Sequence, residues 1–262
     1  RAVATGVSAI GPDGTSYTFE ADYVVLAVGV KGLQAIGRAT PALGEMDVFR
    51  RVNNFEGVSV MAVRLWFDRK VDMPASSNVF GGVDAGVGGT FFDLNALQDE
   101  YADEPGSVVE VDVYNAAIYL GMEDERVVRD MQQRVLGAFL PAFRGAKVVD
   151  FSVIKVPSGV TKFTPGSYAW MTETVTPVRN LMLAGDHIKH GPGAMYGARG
   201  LSQEKALVTG LAAANACARA AGRAVPARLE PRSVEPDEAH IAAGRRLLAG
   251  LRAAQGVLPR LG

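Results

Sequence analysis

Two short apolar runs, far apart in the chain, both stop on glycine: Val24-Val25-Leu26-Ala27-Val28 leads into Gly29, and Leu181-Met182-Leu183-Ala184 leads into Gly185-Asp186. A run without polar alternation suits a strand covered on both faces, and such strands belong to sheets with parallel neighbours. The glycine removes a Cβ where a backbone must pass close to something. The second run also ends on a carboxylate, at the strand terminus where open α/β sheets place their ligands. Taken alone, Gly185-Asp186 also reads as a strand-ending turn. In this order, with a long helical stretch after the second run, the pair points to a shared ligand site.

The remaining segments arrange themselves around these runs. Ala2–Ile10, the turn Pro12-Asp13-Gly14 and Thr15–Glu20 predict a hairpin. Gly32–Arg38 predicts a short helix or turn closing on Thr40-Pro41. From Val58 the pattern alternates, with Ser59–Phe67, Val108–Tyr114 and Val148–Val156 predicted as strands. Between the last two, Val127, Val128, Met131, Val135, Leu136 and Phe139 recur at helical spacing over Glu123–Leu140. The glycine-rich stretch Gly81–Gly89 reads as a mobile turn. A long helix is expected over Leu201–Ala221, with Leu201, Leu207, Val208 and Leu211 on one side and Ser202 able to cap its first turn. Beyond Gly222 the composition shifts to Arg, Ala and Pro, with an amphipathic helix expected around Glu235–Leu251.

Composition excludes several classes. With 27 basic and 28 acidic residues the net charge is −1, which argues against a nucleic-acid-binding surface. The single Cys217 cannot form an internal disulfide. No apolar run reaches the ~18–20 residues that span a bilayer, and no basic-then-apolar leader is visible at the start. Neither a hydrolase elbow nor a P-loop is present. The even balance hides an asymmetry, since residues 223–262 hold seven Arg against four acidic residues.

The unit built from the second run, its loop and Ser202-Gln203-Glu204-Lys205-Ala206 … Val208-Thr209-Gly210-Leu211-Ala212-Ala213-Ala214-Asn215 resembles the C-terminal flavin-binding segment of FAD-dependent amine-oxidase-like oxidoreductases. Within that superfamily it is most similar to the plant-type phytoene and ζ-carotene desaturases, whose Thr-Pro-x-x-Asn-Leu stretch is matched by Thr176-Pro177-Val178-Arg179-Asn180-Leu181. The hairpin leading into Ala21-Asp22-Tyr23-Val24-Val25-Leu26-Ala27 is similar to the strand pair preceding the family's second flavin-contacting strand. The family's N-terminal strand, Gly-x-Gly-x-x-Gly turn and helix have no counterpart in these residues. The nearest stretch, Gly191-Pro192-Gly193-Ala194-Met195-Tyr196-Gly197, has the wrong spacing and reads as a loop lining a site.

The resemblance implies an α/β and α+β architecture. A partial FAD-binding, Rossmann-like domain of the glutathione-reductase type (residues 1–50 and 175–222) would be split by a substrate domain (51–174) with a mixed or antiparallel sheet backed by helices. A basic tail (223–262) would follow. The chain is expected to be the C-terminal portion of a longer flavoprotein and, alone, to bind FAD poorly. Ala27, Val28, Gly29, Ala184, Gly185 and Asp186 would contact the cofactor, and Leu201, Ser202 and Gln203 would aim the N-terminus of the long helix at the flavin. A helix N-terminus favours the anionic character of a reduced flavin by about 0.3–1 kcal/mol. No acid–base dyad is expected, because the cofactor carries the chemistry.

Implied activities are carotenoid desaturation or isomerisation, with FAD accepting a hydride equivalent from a polyene C–H and a quinone as electron acceptor. Amine oxidation and a non-catalytic, flavoprotein-derived binding module are the alternatives. The implied location is a plastid, or a bacterial cytoplasm or membrane surface, with peripheral membrane contact. Tyr168, Trp170, His187 and Tyr196 are the candidate substrate-side residues; Trp66, Phe91 and Phe92 are assigned to core packing or the same apolar channel. His187 either faces the flavin or stands in solvent. His187 and His190 form a His-x-x-His pair, but too few further ligands exist for a zinc site. The arginine-bearing helix in the tail either lies on an anionic membrane or packs as an extension.

Overall fold

The structure, a computed structural model, describes residues 2–84, 86–189, 203–226, 229 and 239–256. It is a mixed α/β arrangement of three sheets. The first is the hairpin of β1 (Gly6–Ile10) and β2 (Ser16–Glu20), antiparallel from Gly6↔Glu20 to Ile10↔Ser16. Its turn is fixed locally, since the Asp13 carboxylate accepts from the Thr15 amide at 3.0 Å and the Thr15 hydroxyl at 2.8 Å.

The two apolar runs meet in the second sheet. β3 (Val24–Leu26) pairs parallel with β9 (Leu181–Leu183), in the register Val24↔Leu181, Val25↔Met182 and Leu26↔Leu183. The Thr176–Leu181 stretch explains how strands so distant in sequence find one register. The Asn180 side chain donates to the carbonyls of Ala4 (2.7 Å) and Asp22 (2.7 Å) and accepts from the Ala4 amide (2.8 Å). Its backbone carbonyl accepts from the Val24 amide at 2.9 Å. The Thr176 hydroxyl closes the preceding turn by accepting from the Val178 amide at 3.1 Å, and its own proton can reach the Leu181 carbonyl at 2.8 Å. Both motif residues are therefore hydrogen-bond hubs that start β9 level with β3.

The third sheet is antiparallel throughout. It contains β4 (Glu56–Phe67), β5 (Ser77–Asp84), β6 (Val87–Asp93), β7 (Val108–Tyr114) and β8 (Val148–Lys162), in the order β5-β6-β7-β4-β8. Alternation along β4 and β7 sends Met61, Val63, Leu65 and Phe67, with Val109, Val111 and Val113, into one core. Each fully buried side chain of this kind contributes about 1.5–3 kcal/mol. The opposite wall of that core is the helical stretch from Asp124 to Phe139, which contributes Val127, Met131, Val135 and Leu136.

Two sequence expectations are corrected here. The helix over Glu123–Leu140 is not uniform: it is α-helical over Asp124–Asp130 and widens to a π-helix over Met131–Leu136. The wider pitch accompanies the Gln132 amide donating to the carbonyls of Phe143 (2.8 Å) and Ala146 (2.7 Å), which ties the following turn to the helix. Gly81–Asp84 and Val87–Gly89 belong to strands β5 and β6 rather than to a free turn, with Phe80↔Gly89 and Gly81↔Gly88 in register. A Cβ at Gly89 would strike the Asp112 carbonyl of β7, so this glycine admits the neighbouring strand.

A separate core joins the strand pair to its surroundings. The helix Gly29–Ala39 follows β3 directly and buries Val30 and Leu33 beside Phe49, Val52, Phe55, Met171, Leu181 and Leu183. Buried Gln34 on that helix donates to the carbonyls of Val52 (3.0 Å) and Phe55 (2.9 Å), fixing the chain just ahead of β4. Two long helices follow in sequence, Gln203–Ala220 and Ala239–Gly256. Among the described residues no helix is long and apolar enough to cross a membrane.

Candidate functional site

Parallel pairing brings the carboxyl ends of β3 and β9 side by side. The last ladder bond runs from the Ala184 amide to the Leu26 carbonyl at 3.1 Å, and both chains then turn through glycines with positive φ, Gly29 at +65° and Gly185 at +142°. Among the described residues, no atom outside the glycine's own chain neighbours and helix backbone lies within 4 Å of where a Cβ on Gly29 would stand. At Gly185 a Cβ would come within 2.7 Å of the His187 ring, so only glycine leaves that ring in place. Ala27, Val28 and Gly29 are exposed, Ala184 is buried, and Gly185 and Asp186 are half-buried.

The long helix Gln203–Ala220 is latched onto this point by one side chain. Thr209 is fully buried; its hydroxyl accepts from the Gly185 amide at 3.0 Å and lies within bonding distance of the carbonyls of Lys205 (2.9 Å), Gly185 (3.1 Å) and Ala206 (3.1 Å). One hydroxyl proton serves one of these carbonyls at a time. Further along, Ala213 packs with Met182 and Ala184, a contact that its small side chain allows.

Around this latch several buried side chains are polar. The Asp186 carboxylate accepts from the Thr161 hydroxyl of β8 at 3.2 Å, tying the strand end to the large sheet. His187 is 1% exposed, and its Nδ1 is 3.6 Å from Asp186, beyond hydrogen-bond length. Neither ring nitrogen has a hydrogen-bond partner among the described residues, and the buried Thr172 hydroxyl shares that condition. The Lys205 amine, on a residue 5% exposed, lies 4.0 Å from the Met171 sulfur and 5.5 Å from the centre of the Phe163 ring. Burial lowers its pKa from 10.5 to about 8, against the opposing pull of the Asp186 carboxylate.

Ala27, Val28 and Gly29 thus stand at the same end of the strand pair as Ala184, Gly185 and Asp186, with Gln203 exposed at the start of the described part of the long helix. Leu201, Ser202 and Tyr196 lie outside the described residues, as does His190. Tyr168 and Trp170 are partly buried against the strand-pair core, Trp170 edge-on to Phe55 at 5.8 Å. The solvent alternative for His187 is overturned by its burial. The expected apolar side of the long helix is also corrected: Leu207 is 66% exposed, and the buried positions are Lys205, Thr209, Ala213 and Asn215. The helix meets β9 and its end through Thr209, which bonds Gly185, and Ala213, which packs with Met182 and Ala184, and not through Leu207.

Sequence reasoning missed Thr161, Thr172, Thr209 and Lys205 as site neighbours. For two of them a signal existed. Lys205, Thr209 and Ala213 recur every fourth residue, the spacing of one helix face, but a face carrying lysine and threonine does not read as buried by hydropathy. Thr161 and Thr172 carried no periodic signal, since their places depend on the crossing of the large sheet with the strand end.

Residues 3–217 match the family model described as flavin containing amine oxidoreductase. The chain is 27% identical over 171 residues to a 15-cis-phytoene desaturase of Synechococcus elongatus, covering 64% of this chain and 35% of that protein. It is 26% identical over 207 residues to a zeta-carotene desaturase, chloroplastic/chromoplastic, of Zea mays, covering 68% and 35% respectively. A solved oxidoreductase from Methanosarcina mazei superposes at 15% identity with a TM-score of 0.42, covering 78% of this chain and 44% of that one. The chain therefore spans about a third of the length of the two desaturases.

Proposed function

The chain belongs to the flavin containing amine oxidoreductases, and on that premise we propose that it forms the flavin-facing and substrate-facing part of an FAD-dependent oxidoreductase acting on a polyene. The observation that carries the reading is the level ending of β3 and β9 on Gly29 and Gly185-Asp186. In this reading the two strands belong to a Rossmann-like FAD domain drawn from residues 1–50 and 175–222, and residues 51–174 form the substrate domain, with 223–262 as a basic tail.

The residues present fit an FAD. Among the described residues the Cβ direction of Gly29 is open to 4 Å and Asp186 meets one hydroxyl donor, although a carboxylate offers about four acceptor sites. When bound, FAD supplies two-electron oxidation. Ala27, Val28 and Gly29 would approach it through backbone, Ala184 and Gly185 would let its ribityl-pyrophosphate part come close, and Asp186, held by Thr161, would accept from a ribityl hydroxyl. Gln203 marks the helix end whose N–H dipoles favour negative charge. His187 would sit beside the flavin, and Tyr168 and Trp170 would border the polyene; Leu201, Ser202 and Tyr196, candidates for the helix end and the substrate side, lie outside the described residues.

Relatives bearing the names phytoene and zeta-carotene desaturase support a long apolar substrate. A quinone is the matching acceptor, and a plastid or bacterial membrane surface the matching location. The test supplies the product of the complete reading frame with FAD, a quinone and either a partly saturated carotenoid or a primary amine, under anaerobic conditions. Extended conjugation in the carotenoid and no aldehyde from the amine is the expected result. Aldehyde formation with an unchanged carotenoid would move the reading to amine oxidation.

A further inference from the structure

The turn that carries Asp186 also carries a ring that has no way out to solvent. The Ile188 amide donates to the Gly185 carbonyl at 3.2 Å and the Lys189 amide to the Thr172 carbonyl at 2.7 Å, so the backbone is tied on both sides of His187. The ring lies against Gly185, where a Cβ would come within 2.9 Å of Nδ1. The His187 side chain is 1% exposed and that of Asp186 17%. A molecule arriving at the strand end therefore meets the carboxylate, and the ring stays behind it. Neither ring nitrogen has a hydrogen-bond partner among the described residues, an uncommon condition for buried polar atoms in a folded protein.

We propose that His187 is a positioning residue for the cofactor: its Nδ1–H donates to the Asp186 carboxylate when that carboxylate holds a ribityl hydroxyl, so that His187 strengthens FAD binding without touching FAD. This role rests on the flavin reading of the strand end. Nδ1 stands 3.6 Å from Asp186 Oδ1, about 0.6 Å beyond the usual N–H···O length. The Thr161 hydroxyl donates to the same oxygen at 3.2 Å, and Oδ2 meets no hydrogen-bond donor among the described residues. The last torsion of an aspartate is broad. A modest turn of the carboxylate thus closes the His187 contact, and a hydroxyl engaged at Oδ2 holds it there. Ligand binding and the ring's missing bond are then coupled, each favouring the other. The coupling accounts for an imidazole where leucine would fill the space, since the unmet bond weighs on the apoprotein alone.

The product of the complete reading frame, stripped of flavin, is to be titrated with FAD and followed by quenching of the flavin fluorescence. His187→Leu should weaken FAD binding by about tenfold or more while the apoprotein keeps its melting temperature. His187→Asn, whose amide can donate from near the Nδ1 position, should bind within about threefold of wild type. In an Asp186→Ala background, adding His187→Leu should change the affinity by less than about twofold, because the partner through which the ring acts is gone. Equal affinity in wild type and His187→Leu would overturn the proposal and leave the flavin reading standing. So would a loss that asparagine does not relieve, or one that persists in full beside Asp186→Ala. A wild type that binds no FAD would overturn the flavin reading and this role with it.

Discussion

Along β4 and β7 the inward positions from Met61 to Phe67 and from Val109 to Val113 are apolar and sealed from solvent. Within a few residues of the β9 end, the buried groups instead include the His187 ring, the Thr172 hydroxyl, the Lys205 amine and the Thr209 hydroxyl. The large sheet obtains its stability from area removed from water, which is non-directional and tolerant of detail. The strand end instead buries polar atoms, of which the His187 ring nitrogens and the Thr172 hydroxyl have no hydrogen-bond partner among the described residues, a condition typical of places where chemistry or binding is done. Substitutions in the first region should therefore alter folding, and substitutions in the second should alter binding more than folding.

The largest effect expected is in the large sheet. Phe91 is fully buried and edge-on to Phe139 at 4.9 Å. Phe91→Ala should destabilise the fold by about 3–5 kcal/mol in urea unfolding; a cost below 1 kcal/mol would break the contrast. Next comes the buried amine. The folded chain loses the Lys205 proton near pH 8 and the unfolded chain near 10.5, so the unfolded state binds more protons between those values. Wild-type stability should then rise with pH across that window by up to about 3 kcal/mol relative to Lys205→Met, and parallel stability curves would show the amine to be solvated.

Asn180→Ala removes three side-chain hydrogen bonds that align β1, β3 and β9. A loss of about 2–3 kcal/mol is expected, with hydrogen exchange accelerated in β3 and β9 before the large sheet. Smallest is His187→Leu. Both ring nitrogens lack partners among the described residues, so melting should stay within about 1 kcal/mol of wild type or improve. A large destabilisation would mean that the ring is held by bonds outside the described residues.

Legibility in the sequence follows the same division. Alternation exposed β4 and β7 because half-buried strands must alternate, and Pro12-Asp13-Gly14 exposed the hairpin because its turn chemistry is local. The polar neighbours of the strand end were less legible. Thr161 reaches Asp186 only because the last part of the fifteen-residue β8 passes the strand end. Lys205 was visible as part of a motif, yet its burial depends on how closely a small-residue helix face lies on β9. Resemblance, not periodicity, identified Asn180, and the structure supplies the physical reason in its three bonds. The π-helical segment at Met131–Leu136 left no trace, since its apolar spacing satisfies an ordinary helix equally well.

The central claim is that Gly185-Asp186 and the ending of β3 hold a flavin, and visible absorbance of the purified product of the complete reading frame tests it most directly. After addition of FAD and removal of the excess, the account predicts one flavin per chain for the wild type. It predicts a colourless but folded protein for Asp186→Ala combined with Gly29→Val. A wild type that retains no flavin, or a double variant that retains it fully, would contradict the account.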